Sequence, residues 1–143
     1  MADYRMVELN RGEEEQKWQN LDSYVFLLRY FRKNREEERE KLKCNLRALC
    51  GELAERQIIV PMDFEPFGDA IYSETLDREL MFFESAGLIK ERKGSIIYTI
   101  TDRGRKLSEN ASVISNRGVP IDILETLDEL IDKQHTDNKD CCS

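Results

Sequence analysis

The chain has 143 residues, of which 36% are charged and 40% apolar, with a formal net charge of −7 and a sequence pI of about 4.9. This length suits a single domain with one hydrophobic core, and the acidic balance gives no overall attraction to nucleic acid. No apolar run approaches the ~18 residues that a membrane-spanning helix needs, and the N-terminus lacks the apolar core of a signal peptide. We therefore expect a cytoplasmic protein with no membrane partner.

Residue types that serve catalysis and metal binding are scarce. The sole histidine, His135, lies close to the C-terminus, and the four cysteines include no CxxC pair. These facts argue against histidine-based catalysis and against a zinc site. The glycines are dispersed and form no phosphate-binding loop. We expect no catalytic residue, no metal and no cofactor, so the sequence predicts a protein that is not an enzyme.

Two long helices are predicted for the first half of the chain. Residues 1–12 form an N-terminal arm, for which a short strand and a flexible terminus are both open. Apolar residues at helical spacing predict the first helix over residues 13–34, with a break near Asn20 as an alternative. The second helix covers residues 35–57, and the mixed charges at its start are typical of a solvated helix face.

A connector with two aromatic residues follows these helices. Residues 58–60 are β-branched and suit a short strand, which Pro61 ends. Residues 62–71 contain Phe64 and Phe67. Aromatic side chains in a loop usually pack that loop onto the core, and the alternative is an exposed patch that binds a partner protein.

The strongest local signals lie between residues 73 and 112. Residues 73–87 predict a helix with Ser73 as its N-cap and a glycine just past its end. Its apolar face comprises Leu76, Leu80 and Phe83. Residues 88–101 are rich in β-branched residues and predict a hairpin with a basic turn. Another helix is predicted for residues 102–112.

This order of elements resembles the second half of a winged-helix domain. The resemblance rests on Leu76, Leu80, Phe83, Gly87-Leu88-Ile89, Tyr98-Thr99-Ile100-Thr101 and Gly104. It implies that residues 73–87 form a recognition helix and that the hairpin forms the wing. The expected fold is mainly α with a small β-hairpin: one winged-helix domain over residues 13–118, with long N-terminal helices and a C-terminal amphipathic helix. Winged helices serve in DNA-binding regulators and also as protein-interaction modules.

The C-terminal helix is predicted within residues 119–133, where Pro120 suits the first helical position. One face is acidic, and the other is a narrow apolar stripe that includes Leu124, Leu127 and Ile131. This helix either folds back on its own domain or pairs with its copy, and the winged-helix resemblance favours a homodimer. Residues 134–143 are polar and are expected to be disordered.

Charge divides the central stretch into two parts. Residues 73–87 hold four carboxylates against one arginine, and an acidic helix is repelled by the phosphates that flank the major groove. Residues 90–106 hold six basic side chains against two acidic ones. The first hypothesis is therefore a homodimeric winged-helix transcriptional regulator that binds DNA through its wing. The predicted contacts are Lys90, Arg92, Lys93, Arg103, Arg105 and Lys106. The alternative for these cations is an ordinary solvated surface.

The chain also resembles the Panacea antitoxin-like family. This similarity rests on Phe64-Glu65-Pro66-Phe67-Gly68, Tyr72-Ser73, Leu76, Glu79-Leu80, Phe83 and Gly87-Leu88-Ile89. It implies a role through protein contacts, such as restraining a toxin or acting as an adaptor. The second hypothesis is therefore a non-enzymatic protein-interaction module. Its predicted contacts are Phe64, Phe67, Glu74 and Asp77.

Overall fold

The structure is a computed structural model that describes residues 18–92, 94–110 and 117–137. Helices dominate this mixed α/β fold. The described helices are α1 (Ser23–Lys33), α2 (Arg39–Ala54), α3 (Glu74–Ser85), α4 (Asp102–Ser108) and α5 (Ile121–Asp137). The described strands are β1 (Gln19–Asn20), β2 (Glu36–Glu38), β3 (Ile58–Ile59), β4 (Glu65–Phe67), β5 (Ala70–Tyr72), β6 (Ile89–Glu91) and β7 (Ile97–Ile100). The predicted helix dominance is confirmed, and the predicted β-hairpin is part of a small antiparallel sheet.

The largest sheet has three antiparallel strands in the order β2-β7-β6. Its register pairs Glu37 with Tyr98 and Lys90 with Thr99. Strands β1 and β3 form a separate parallel pair, and β4 and β5 form a hairpin. Helices α1, α2, α3 and α5 surround one core, to which the three-stranded sheet contributes one edge.

The first predicted helix is too long at its N-terminal end. Helix α1 begins after Asp22, whose carboxylate accepts a 2.8 Å hydrogen bond from the backbone N–H of Tyr24. Strand β1 lies where the helix was expected, because its backbone bonds to β3: the Leu21 N–H donates to the Ile59 carbonyl at 2.8 Å. The alternative break near Asn20 is therefore the correct one. Residues 13–17 and the predicted arm lie outside the described residues.

The second predicted helix begins too early. Residues 36–38 form β2 rather than a solvated helix face, and Glu37 in its middle is buried. The cause is non-local. Strand β7 bonds to β6 on one side and completes its ladder with β2 on the other. The Arg39 N–H donates to the Ile96 carbonyl, and the Ile100 N–H donates to the Arg35 carbonyl, at 2.9 and 3.0 Å.

Helix α5 folds back on its own chain. Leu124, Leu127 and Ile131 are buried within a single protomer, where α5 packs against α1 and α2. Their apolar stripe is covered within the protomer, and their role in a dimer interface stays a prediction. An ion pair between Arg29 on α1 and Asp128 on α5 borders this contact.

The same helix continues to Asp137, four residues beyond the predicted end. The Gln134 Nε2 donates to the backbone carbonyl of Asn45 at 3.0 Å, and His135 Nδ1 lies 3.1 Å from the side-chain oxygen of Asn34. These contacts to α1 and α2 hold the last turn, so residues 134–137 are not a disordered tail. The remainder of that predicted tail lies outside the described residues.

The central stretch matches its prediction more closely. Ser73 caps α3, and Gly87 has the left-handed backbone (φ 76°) that a helix end favours. Thr101 caps α4 by accepting a 3.0 Å hydrogen bond from the Gly104 N–H. Helix α4 lies so close to the chain just before β6 that a Cβ on Gly104 would sit 2.2 Å from the Leu88 carbonyl oxygen.

Candidate functional site

Helix α3 turns one face to the core and the other to solvent. The Ser73 Oγ accepts a 3.1 Å hydrogen bond from the Leu76 N–H, which fixes where the helix begins. The Ser23 hydroxyl on α1 donates to the Glu79 carboxylate at 3.2 Å and orients the helix about its axis. The buried face is the predicted one, and it comprises Leu76, Leu80 and Phe83.

The opposite face exposes two large apolar side chains among charged ones. Met81 is 66% exposed and Phe82 is 53% exposed. We call this surface the α3 outer face, and it comprises Glu74, Arg78, Met81, Phe82, Glu84 and Ser85, all of which are exposed. The only ion pair among these side chains is the exposed Arg78–Glu74 contact at 3.6 Å. Neither Met81 nor Phe82 was singled out from the sequence, although both fall off the Leu76, Leu80, Phe83 stripe. Their position outside that stripe is the sequence signal that indicates exposure.

The Phe82 ring is held from one side. Its edge packs on Tyr24 of α1, with ring centroids 6.1 Å apart. The Arg117 guanidinium lies over the same Tyr24 ring, 4.6 Å from its centroid, and its Nε is 2.7 Å from the Asp22 carboxylate. Phe82 therefore packs against a side chain that is itself held in place, while the rest of its ring is exposed to solvent. An anchor residue in a protein interface has the same arrangement.

A groove runs between α3, the start of α2 and strand β7. Arg39 lines it: its guanidinium donates to the Tyr98 hydroxyl at 2.9 and 3.2 Å and lies 3.5 Å from Glu91. Burial raises the pKa of the Tyr98 phenol, and the hydrogen bond from Arg39 opposes that shift. Asp77, a predicted protein contact, is half-buried and lines this groove with Lys43. The groove is open beside this ion pair, and Met81 and Glu84 of the α3 outer face line it together with Asp77.

The predicted aromatic pair is divided between core and surface. Phe64 is half-buried and packs against the core, whereas Phe67 on β4 is 75% exposed. The β4–β5 register pairs Glu65 with Tyr72 and Phe67 with Ala70, so these four side chains share one face of the hairpin. Beside that face lies the hairpin pocket, which is lined by Asp63, Glu65, Tyr72, Glu74 and Thr75.

The wing is less basic than its sequence indicates. Arg92 forms an ion pair with Glu36 on β2. That strand consists of three glutamates and lies beside β7 in the same sheet. Lys90 is exposed on β6, and the predicted contact Lys93 lies outside the described residues. Strand β2, which the sequence predicts as part of a helix, therefore offsets the positive charge of the wing.

The basic residues of α4 differ in burial and in ion pairing. Arg105 is half-buried and pairs with Asp102 at 3.0 Å. Arg103 and Lys106 are exposed, make no ion pair with any described residue, and line a shallow depression with Leu107 and Asn110. The structure brings these two cations together at one depression, which Arg92 does not line.

A buried polar network links α1, β2 and α2. The Tyr30 hydroxyl donates to the Glu37 carboxylate at 2.6 Å and accepts from the Asn45 side chain at 2.9 Å. Burial raises the pKa of Glu37, while Tyr30 and the charge of Lys41 act against that shift. Sequence reasoning missed this network because Glu37 sits in a charge run that looks solvated. The network is structural, since it lies in the core.

Among the described residues, no three histidine, cysteine, aspartate or glutamate side chains are grouped as a metal site. Within the same ranges, no helix combines the length and apolar composition that crossing a bilayer requires. No protein-family model, no curated protein and no solved structure matches the chain. The winged-helix and Panacea resemblances therefore stay predictions, and function is inferred from the surfaces alone.

Proposed function

We propose that this protein is a non-enzymatic protein-interaction module of the winged-helix type, and that it binds a partner protein through the α3 outer face. The observation that carries this proposal is the paired exposure of Met81 and Phe82 on that face. Aromatic residues and methionine are enriched at protein interfaces. Exposed large apolar side chains that adjoin one another mark interaction sites more often than isolated ones do.

The arrangement of elements supports the winged-helix assignment. Helix α1, strand β2, helix α2, helix α3 and strands β6 and β7 occur in this order, with β3, β4 and β5 between α2 and α3, and the sheet order is β2-β7-β6. In a winged helix with this order, α3 takes the place of the recognition helix and β6–β7 that of the wing. The surface that would read DNA in a regulator is then the surface that here exposes methionine and phenylalanine.

The chemistry of α3 favours protein over DNA. A helix in the major groove lies between two rows of phosphates and reads base edges with hydrogen-bonding side chains. The α3 outer face offers Glu74 and Glu84, which phosphates repel, and Arg78 is already beside Glu74. Met81 and Phe82 cannot hydrogen-bond to a base. The partner that complements this face is a protein surface with apolar and basic side chains.

DNA binding is the second candidate, and one observation favours it. Lys90, Arg103 and Lys106 are exposed and make no ion pair within the described part of the chain. They can contact phosphate without reading sequence, because phosphate contacts position a protein but carry no sequence information. A regulator would need base contacts in addition, and α3 does not offer them.

Affinity capture with matched variants tests the proposal. The full-length protein, the Met81→Ser/Phe82→Ser variant and an Ile121→Ser control are used as baits in nuclease-treated extracts of the source cells. Ile121 on α5 is a suitable control because it is 68% exposed, against 66% for Met81. We expect one partner protein to be retained by wild type and control, and its recovery to fall about tenfold or more with the α3 variant, as for loss of an interface anchor. Equal recovery with all three baits, or recovery of nucleic acid alone from a parallel extract without nuclease, would contradict the proposal.

A further inference from the structure

We infer that the hairpin pocket binds an arginine side chain of the partner protein, with the neighbouring Phe67 contacting an apolar residue beside that arginine. This inference rests on the proposed function, since it names the chemistry of the partner. It concerns a surface formed by the β4–β5 hairpin and the first turn of α3. That surface shares only Glu74 with the α3 outer face and can be tested separately from Met81 and Phe82.

The pocket combines one aromatic ring with three carboxylates. Glu65 and Tyr72 are directly opposite each other on β4 and β5, and Asp63 and Glu74 complete the lining. The Tyr72 side chain is partly exposed, so its ring is open to a ligand. A guanidinium group suits this lining, because it stacks on an aromatic face while donating hydrogen bonds in a plane to carboxylates.

The chain itself contains two examples of this combination. Arg117 lies over the Tyr24 ring and pairs with Asp22. Arg39 lies 5.5 Å from the centroid of the Tyr98 ring and pairs with Glu91. In each case an arginine, a tyrosine and a carboxylate form one compact group. The combination of an arginine, a tyrosine ring and a carboxylate therefore occurs at two places in this fold.

The hairpin pocket is a third such group, and no arginine from the described ranges lines it. Within the described ranges, Asp63 and Glu65 make no ion pair, and Glu74 pairs only with Arg78, which is itself largely exposed. No described cation lies over the Tyr72 ring. Carboxylates that face one pocket repel one another, and a bound cation relieves that repulsion. Charge complementarity therefore selects a basic side chain.

The exposed Phe67 indicates that the arginine belongs to a protein. Phe67 is 75% exposed and lies on the same hairpin face as Glu65 and Tyr72. A free amino acid would leave this ring uncovered, whereas a polypeptide can place an apolar side chain against it while its arginine enters the pocket. Such a pairing of an aromatic anchor with a desolvated charged contact is typical of protein interfaces. Arginine is preferred over lysine because its planar group can stack and form two hydrogen bonds at once.

Chemical-shift titration of the isotope-labelled full-length protein tests the pocket without knowledge of the partner. The probe is N-acetyl-arginine methylamide, and the control ligand is the citrulline analogue, which has nearly the same shape but no charge. We expect saturable, salt-sensitive shifts of the amides of residues 63–75 with the arginine probe and none with the citrulline one. A lack of saturable shifts, or equal shifts with both ligands, would overturn the inference.

Variants separate this inference from the proposed function. Glu65→Gln/Glu74→Gln should weaken binding of the arginine probe by about tenfold, because charge-assisted hydrogen bonds are lost. The matched control Glu125→Gln/Glu129→Gln removes two exposed carboxylates from α5, and we expect wild-type binding. If the first variant also binds as wild type does, the pocket is not the site. The Met81→Ser/Phe82→Ser variant should still bind the probe. Failure of the probe together with Met81-dependent capture of a partner would reject the pocket and retain the proposed function.

Discussion

The Tyr30 hydroxyl donates a 2.6 Å hydrogen bond to Oε1 of Glu37, and both side chains are buried. This contact joins helix α1 to the edge strand β2 and so fixes the three-stranded sheet on the helical core. Asn45 on α2 donates to the same hydroxyl, which brings a third element into the network. A carboxylate in such a place is desolvated, and burial raises its pKa above the ordinary value of 4.5.

The stability of the protein should depend on pH through Glu37. A carboxyl group whose pKa is raised on folding holds its proton more tightly in the native state. Its stabilising contribution is complete below the ordinary pKa and is lost as the pH rises through the raised value. We therefore expect Glu37→Gln, which cannot ionise, to gain stability relative to wild type as the pH rises from acid to neutral. Urea unfolding over a pH series measures this difference.

The control for this experiment is Glu38→Gln, which removes an exposed carboxylate from the same strand and should follow the wild-type profile. The other charged groups near Glu37 are Lys41 and His135, which favour its ionised form. If the relative stability of Glu37→Gln falls as the pH rises, these cations and the two hydrogen-bond donors outweigh desolvation. The inferred direction would then be wrong.

Two glycines should respond in opposite ways to alanine. A Cβ on Gly104 would lie 2.2 Å from the Leu88 carbonyl oxygen, which is backbone and cannot move freely. We expect Gly104→Ala to destabilise the fold by about 2 kcal/mol or more, as overpacking does. Gly51 lies within α2 with nothing within 4 Å of an added Cβ. Gly51→Ala should therefore stabilise the fold by about 0.5–1 kcal/mol, because alanine is the better helix former. Denaturant unfolding measures the change in unfolding free energy for each variant. Similar changes for both variants would contradict the close approach of α4 to Leu88.

Helix α5 should contribute to folding rather than to dimerisation. Leu127 is fully buried within one protomer, so Leu127→Ala should cost about 2–5 kcal/mol of unfolding free energy. The exposed Ile121 on the same helix is the control, and Ile121→Ala should change stability by about 0.5 kcal/mol at most. Sedimentation of the folded Leu127→Ala variant is expected to show the wild-type mass. A wild-type dimer that this variant converts to a folded monomer would support the dimerisation hypothesis instead.

Binding to DNA should be weak and salt-sensitive. Lys90, Arg103 and Lys106, which form no ion pair with a described residue, predict a slope of about −3 in log affinity against log salt on mixed-sequence duplex DNA. Arg103→Ala/Lys106→Ala should remove most of that affinity. Arg92→Ala is the control and should change little, because Arg92 is paired with Glu36. Fluorescence anisotropy measures all three proteins. Tight binding that prefers one sequence and survives physiological salt would favour the regulator hypothesis.

Local signals were enough to predict α3 and the hairpin after it. The Ser73 side chain accepts a hydrogen bond from a backbone N–H in the first turn of the helix, and Gly87 adopts the left-handed backbone conformation that ends the helix. Both effects act within a few residues. Strand β2 could not be predicted in this way, because three consecutive glutamates have poor strand propensity. Its pairing with β7 comes from residues about sixty positions away in the chain.

The candidate site was predicted in outline only. The acidic character of α3 is visible in the sequence, and so are Phe67 and Glu74. The neutralisation of Arg92 was not predictable, because it depends on the position of β2. The position of Asp77 in the groove beside Arg39 likewise depends on how α2, α3 and β7 pack together. Helix periodicity alone could have identified Met81 and Phe82 as outward-facing, whereas their support by Tyr24 required the structure.

Photocrosslinking in living cells tests the role of the α3 outer face most directly. A photoreactive phenylalanine analogue is incorporated at position 81, and at position 121 as the equally exposed control. We predict a discrete covalent adduct with one partner protein from position 81, resistant to nuclease, and no such adduct from position 121. Only nuclease-sensitive adducts at position 81, or the same protein adducts from both positions, would contradict the claim that this face binds a partner protein.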